Sequence, residues 1–164
     1  MKARSDPLTA DEHRRLGIDL FNKTWTLMET ADRNAEQNDE LLHCAHASAY
    51  HWLQGGQLVN RVRSEWQCSR AYAVLERPEP ALHHARRCLE LAESAPDALD
   101  DFDLPFAYEA LARAHSLAVN EIEARDWLDR ARRDVGRERP RPCPSRSRPR
   151  HGLLLEAGRA GVSV

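Results

Sequence analysis

The sequence predicts an all-α protein whose six helices form three antiparallel hairpins. Three observations carry that prediction. Apolar residues recur at spacings of three and four from residue 10 to residue 135, the period of helices with a buried face. The pattern breaks where helix-ending chemistry occurs, at Gly55-Gly56, Pro78, Pro80, Pro96 and Gly136. No stretch shows the strict alternation of a half-buried strand.

Thr9-Ala10-Asp11-Glu12 has the form of a capping box, so a first helix is expected from about Ala10 to Asp32. Leu16, Leu20, Leu27, Met28 and Ala31 make one apolar stripe, and Ile18, Phe21 and Trp25 widen it, which calls for neighbours on two sides. The polar run 34–38 interrupts the pattern. A second helix is expected over Asp39–Gln54, burying Leu41, Leu42, Ala45, Ala49, Trp52 and Leu53, with Gly55-Gly56 to end it. A third runs over Gln57–Arg77. Pro78 and Pro80 close it and open a fourth that ends near Ser94, since proline is tolerated in a first turn and not in a helix interior. Asp97, Asp100, Asp101 and Asp103 lead into a fifth, Leu104–Val119, whose positive N-terminal end favours their charge. Asn120 turns the chain into a sixth, Glu121–Val135. Connections this short make sequence neighbours spatial neighbours.

The last four helices contain a repeat. Tyr72, Ala81, Ala85 and Cys88 are separated by nine, four and three residues, and His115, Ala124, Leu128 and Ala131 reproduce that spacing. Cys68-Ser69 precedes the first set and Leu111-Ala112 the second. Over about residues 62–135 the pattern resembles the tetratricopeptide repeat (TPR), a helix–turn–helix unit of about 34 residues. The resemblance implies a TPR-like right-handed superhelical stack with one concave face, and places Ala81 and Ala124 where paired helices cross. There are three departures. The units are offset by 43 residues, with the excess in Ala95–Leu104. Glu76-Arg77 stands where the family usually has glycine in the turn, and His115 where it usually has tyrosine. An irregular superhelix is therefore expected. Residues 10–135 also resemble small helical proteins of actinobacterial type, a likeness that implies no activity.

Composition agrees with stacked helices. The 164 residues suit one domain, and an apolar content of 41% with only 6% aromatics points to a core of alanine and leucine. The expected organisation is a flexible N-terminus at 1–8, a helical domain at 9–136 and a tail at 137–164. The tail, with seven arginines against two glutamates and recurrent proline, is expected to be disordered. Its basic charge would also suit contact with nucleic acid or acidic partners, or it could be the product of a shifted reading frame in a GC-rich gene. Met1–Arg15 is charged and has no signal-like apolar core, and no run reaches the roughly 18 apolar residues of a membrane helix. A cytoplasmic protein is expected. Cys44, Cys68, Cys88 and Cys143 form no CxxC pair, and the three on helices read as buried free thiols.

In the TPR family, ligand contacts come mostly from the first helix of each pair. Carried onto this chain, the resemblance implies a binding face of Arg63, Trp66, Gln67, Arg70, Glu109, Arg113 and Ser116. Three guanidiniums and an indole suit an acidic or carboxylate-bearing partner, because guanidinium grips carboxylate through two parallel hydrogen bonds. The family's carboxylate clamp uses Lys and Asn at set positions. They are absent here, so that specificity is not implied. The plainer reading has Trp66 packed and the arginines paired with acids.

Other chemistry-bearing groups are weaker candidates. Asp39, His43, His46 and Tyr50 share one side of the second helix, and Glu40 with His43 resembles half of a di-iron motif. No second half is present. Cys44 points about 100° from His43, away from a four-ligand zinc arrangement. His83-His84 diverge on their helix. No GxSxG, P-loop or GxGxxG occurs, and glycine is scarce, so nucleophilic and phosphate-cradling chemistry lack their usual means. The expectation is a non-enzymatic scaffold that binds a protein or peptide, acidic in character, with no cofactor and no metal. Nucleic acid is not an expected ligand. The alternatives are a homo-oligomer, such as a homodimer, and a metal-dependent enzyme using His43 and His46.

Overall fold

The computed structural model describes residues 8–135. The expected tail at 137–164, Cys143 and residues 1–7 lie outside the described residues. Within them the chain is all-helical: α1 (Ala10–Glu29), α2 (Ala35–Gly55), α3 (Leu58–Val74), α4 (Pro78–Ser94), α5 (Asp103–Leu117) and α6 (Glu121–Val135). A single 3-10 turn, Pro96–Ala98, interrupts the acidic linker, and no strand occurs among the described residues.

The capping box at Thr9 forms as expected, with the Glu12 amide donating to Thr9 Oγ1 (3.2 Å) and the Thr9 amide to Glu12 Oε2 (2.7 Å). The first loop is tighter than the sequence reading. α1 stops at Glu29 rather than Asp32, and Arg33 Nη1 donates to the carbonyls of Leu27, Met28 and Thr30 at the helix end (3.0, 3.0 and 2.8 Å). α2 starts at Ala35 rather than Asp39. Asn34 and Gln37 form a second capping box, so the polar run 34–38 is a helix start and not a break.

The repeat has a backbone counterpart. α3 and α5 end in the same Schellman turn, set 43 residues apart. Arg77 N–H donates to Tyr72 O and Glu76 N–H to Ala73 O (both 3.0 Å). Asn120 N–H donates to His115 O (2.9 Å) and Val119 N–H to Ser116 O (3.0 Å). Glu76 and Val119 accordingly take left-handed φ of 55° and 60°, where glycine is the usual occupant. This is why α3 ends at Val74 and not at Arg77.

α1 packs most extensively on α2, α3 on α4 and α5 on α6; α2 then meets α3, and α4 meets α5. α3 also contacts both α1 and α5, so the first helices of the three pairs lie side by side. Small residues make this possible. Ala71, Ala81, Ala85, Ala92, Ala107, Ala110 and Ala114 are fully buried, gathered with Leu27, Leu41, Val62, Leu91 and Leu111 in three contiguous clusters. In the first pair the small residue is Gly17. A Cβ there would lie 2.9 Å from two indole carbons of Trp52, and Ser48 Oγ donates to the Gly17 carbonyl (2.8 Å).

The two repeat units differ in depth. Ala81, Ala85 and Cys88 are fully buried, whereas Ala124 is half-buried and Leu128 exposed. Among the described residues α6 packs chiefly on α5, and Trp127 stacks on Tyr108 (5.7 Å between ring centroids) beneath Arg130 (4.4 Å). Among the described residues no helix is long and apolar enough to cross a membrane.

Candidate binding face

The three first helices bring together a ladder of rings. Trp25 of α1 lies 5.7 Å from Trp66 of α3, Trp66 lies 5.8 Å from Phe106 of α5, and Phe106 lies 5.5 Å from Phe102 at the α5 N-cap. Guanidiniums are set against these rings. Arg70 sits 5.7 Å from both Trp25 and Trp66, Arg113 sits 5.5 Å from Trp66, and Arg63 sits 4.9 Å from Phe102.

The three arginines are in different electrostatic states. Arg63 is committed: Nε donates to Asp103 Oδ1 (2.8 Å), and Nη2 to Asp103 Oδ2 (3.1 Å) and Asp100 Oδ2 (2.7 Å). Burial works to lower its pKa, but the two carboxylates outweigh it and hold Arg63 above its ordinary value. Arg113 is half-committed. Its Nη1 alone reaches both Glu109 oxygens (2.6 and 2.9 Å), while its buried Nε and Nη2 have no hydrogen-bond partner among the described residues. Burial, opposed by Glu109 and aided by the charge of Arg70, pulls its pKa below the usual guanidinium value. Arg70 has no carboxylate partner among the described residues; the two indoles hold it.

Of the residues expected on this face, Trp66, Arg63, Arg70, Glu109 and Arg113 are brought together. Gln67 is not available to a partner. It is fully buried, and its Nε2 donates to the Phe21 carbonyl (3.0 Å), tying α3 to α1. Ser116 is exposed in the last turn of α5, where its carbonyl serves the Schellman turn. Trp25, Phe102, Phe106 and Asp100 were not expected here. Phe106 carried a signal, since it precedes Glu109 by one helical turn and occupies the place of Arg63 in the second unit.

The histidines of α2 do not act as a group. His43 is exposed. His46 Nε2 is 2.9 Å from the Tyr72 hydroxyl, and its ring lies 5.2 Å from His84. His84 stacks on Tyr72 (5.6 Å, 10°), and its Nδ1 is 2.8 Å from Glu65 Oε2. Tyr50 turns instead to His13 and His51, whose Nδ1 atoms are 2.8 Å apart. Among the described residues no group of three or more His, Cys, Asp or Glu is placed to hold a metal ion. Cys44, Cys68 and Cys88 are buried free thiols, and burial raises all three pKa values.

Comparison of the chain with protein families, with curated proteins and with solved structures finds no match.

Proposed function

We propose that this chain is a non-enzymatic binding module, a TPR-like right-handed stack of three helix hairpins that holds an extended segment of a protein or peptide partner. The segment lies along the side-by-side first helices α1, α3 and α5, and an acidic group of the partner docks at Arg70. The observation that carries this reading is the state of Arg70: a cation set 5.7 Å from each of two indoles, with no carboxylate partner among the described residues. Held there, the guanidinium loses little side-chain freedom when an anion arrives, which is the energetic advantage of a preorganised site. The matching Schellman turns and the contacts of α3 with both α1 and α5 support the stack. Buried free thiols suit a reducing compartment, which supports a cytoplasmic setting.

The test uses indole emission, since Trp25 and Trp66 flank the cation. Pools of unstructured peptides sorted by net charge are titrated against the wild-type chain and against Arg70→Glu. Acidic pools should change the emission and saturate, and the charge reversal should remove that response. Equal responses from both proteins, or none from the wild type, would place the binding function elsewhere.

A second reading, self-association, has one observation in its favour. Val119 and Ile122 stand 79% and 76% exposed at the α5–α6 turn. Apart from Leu128, the outer side of α6 carries Arg125, Asp126, Asp129 and Arg133, charges that favour a solvated face. Light scattering at two concentrations separates the readings.

A further inference from the structure

We infer that the face of α1, α3 and α5 prefers a dipolar segment over a uniformly acidic one. The matching sequence is acid-x-aromatic-x-base or its reverse, bound in extended form, with the acid at Arg70 and the base at Asp100. This rests on the proposal above that a peptide lies on this face.

The charge on the face changes sign along α3. At one end a single guanidinium, Arg63, is set between Asp100 and Asp103, leaving one excess negative charge. The Asp103 side chain is 1% exposed and the Asp100 side chain 64%, so Asp100 carries that excess outward. In the middle Arg113 and Glu109 cancel. At the other end Arg70 adds one positive charge without a carboxylate partner among the described residues. Between the two ends the surface is aromatic, with Phe102 and Phe106 each 45% exposed beside Trp66. A polyacidic ligand would satisfy Arg70 but bring like charge against Asp100, and like charges facing across an interface act against a partner.

The spacing selects the sequence. Arg63 and Arg70 are seven residues apart on α3, about 10 Å at the rise of an α-helix. Asp100 is bound to the Arg63 guanidinium (2.7 Å), so the span from Arg70 to Asp100 is of the same order. In an extended chain residues i, i+2 and i+4 face the same way and cover about 13 Å. Acid, aromatic and base at those positions would meet Arg70, the Trp66–Phe106 rungs and Asp100 in turn.

The experiment uses end-blocked nine-residue peptides containing Glu-Ala-Phe-Ala-Lys, the reversed order, and the Lys→Glu form of each, titrated by indole emission or by anisotropy of a labelled peptide. At least one dipolar order should bind the full-length protein about tenfold more tightly than its all-acidic form. Asp100→Lys, a substitution at an exposed linker side chain, should reverse that preference. All-acidic peptides binding as tightly as dipolar ones to the wild type would overturn the inference and leave an acid-binding face standing. Loss of the preference in Arg70→Glu together with its survival in Asp100→Lys would overturn it too. No binding of any peptide would overturn both this inference and the function it rests on.

Discussion

The indole Nε1 of Trp66 donates to Oε2 of Glu109 across 3.3 Å, joining two residues 43 positions apart in the chain. The donor comes from α3, the acceptor from α5, and Arg113 closes the group by reaching both Glu109 oxygens.

The two bonds should differ in weight. Trp66→Phe removes one neutral donor, while Glu109 keeps Arg113, so about 1 kcal/mol is the expected loss. Glu109→Ala leaves a largely buried guanidinium with no partner at any nitrogen. Because Glu109 is itself partly exposed, about 2 kcal/mol is expected rather than the full cost of a broken buried pair. Urea unfolding of the two variants measures both. A larger loss from Trp66→Phe would show that ring packing, and not the carboxylate, dominates this contact.

Arg63 should act chiefly as a structural residue. Arg63→Ala strands the carboxylate of Asp103, whose side chain is 1% exposed and, among the described residues, otherwise receives only the Asp100 amide (3.0 Å). A loss of about 3 kcal/mol follows. Arg70→Ala, at a residue with ring contacts and no ion pair among the described residues, should cost less than about 1 kcal/mol. Equal costs would show that the Asp103 carboxylate finds a substitute partner.

The left-handed turns are places where the chain is strained. An L-residue in that conformation costs about 1–2 kcal/mol, most for a β-branched side chain. Val119→Gly should stabilise by about 1 kcal/mol and Glu76→Gly by somewhat less, after allowing for the greater freedom of glycine in the unfolded chain. Val119→Ala is the control, since alanine keeps the strain. Glycine and alanine variants with the same unfolding midpoint would contradict the account.

Stability should fall on mild acidification. Burial lowers the pKa of His46, His51 and His115, with the charge of His84 adding to the effect on His46 and that of His13 on His51. Glu65 acts against the shift at His46 and Glu123 against that at His115. In the unfolded chain these imidazoles titrate near about 6.5. Below that pH the unfolded state takes up protons that the folded state resists, so their contribution is complete above about 6.5 and is lost as the pH falls. Thermal midpoints at pH 7.5 and 5.5 should show the drop, and His46→Gln should make it shallower. A midpoint that rises over this interval would refute the assignment.

The thiols offer a check on packing. Cys68 and Cys88 are 1% and 0% exposed, and burial pushes both pKa values far up, so neither thiolate forms in the native state. Site-resolved alkylation should modify them only as fast as the protein unfolds. Rapid modification under native conditions would mean local opening, of the packing of α3 on α1 and α2 for Cys68 and of the α3–α4 interface for Cys88.

The sequence alone determined the number and type of the helices and the small-residue core, because both are written in local signals. The 3-4 spacing sets the buried stripe, and alanine at 81, 85, 110 and 114 admits close neighbours. The Asn34–Gln37 box was equally local and was there to be seen. Only the tertiary structure decided which charges are free. Arg63, Arg70 and Arg113 are identical in sequence terms, and partners 40, 37 and 4 residues away decide their state: Asp103 and Asp100 for Arg63, Glu109 for Arg113, and, among the described residues, no carboxylate for Arg70. It also moved Gln67 inside, by supplying the Phe21 carbonyl from a helix 46 residues earlier. Helix periodicity reports which side of a helix is apolar, whereas the partner of a guanidinium or an amide depends on which helices are brought together by folding, and no local spacing encodes that.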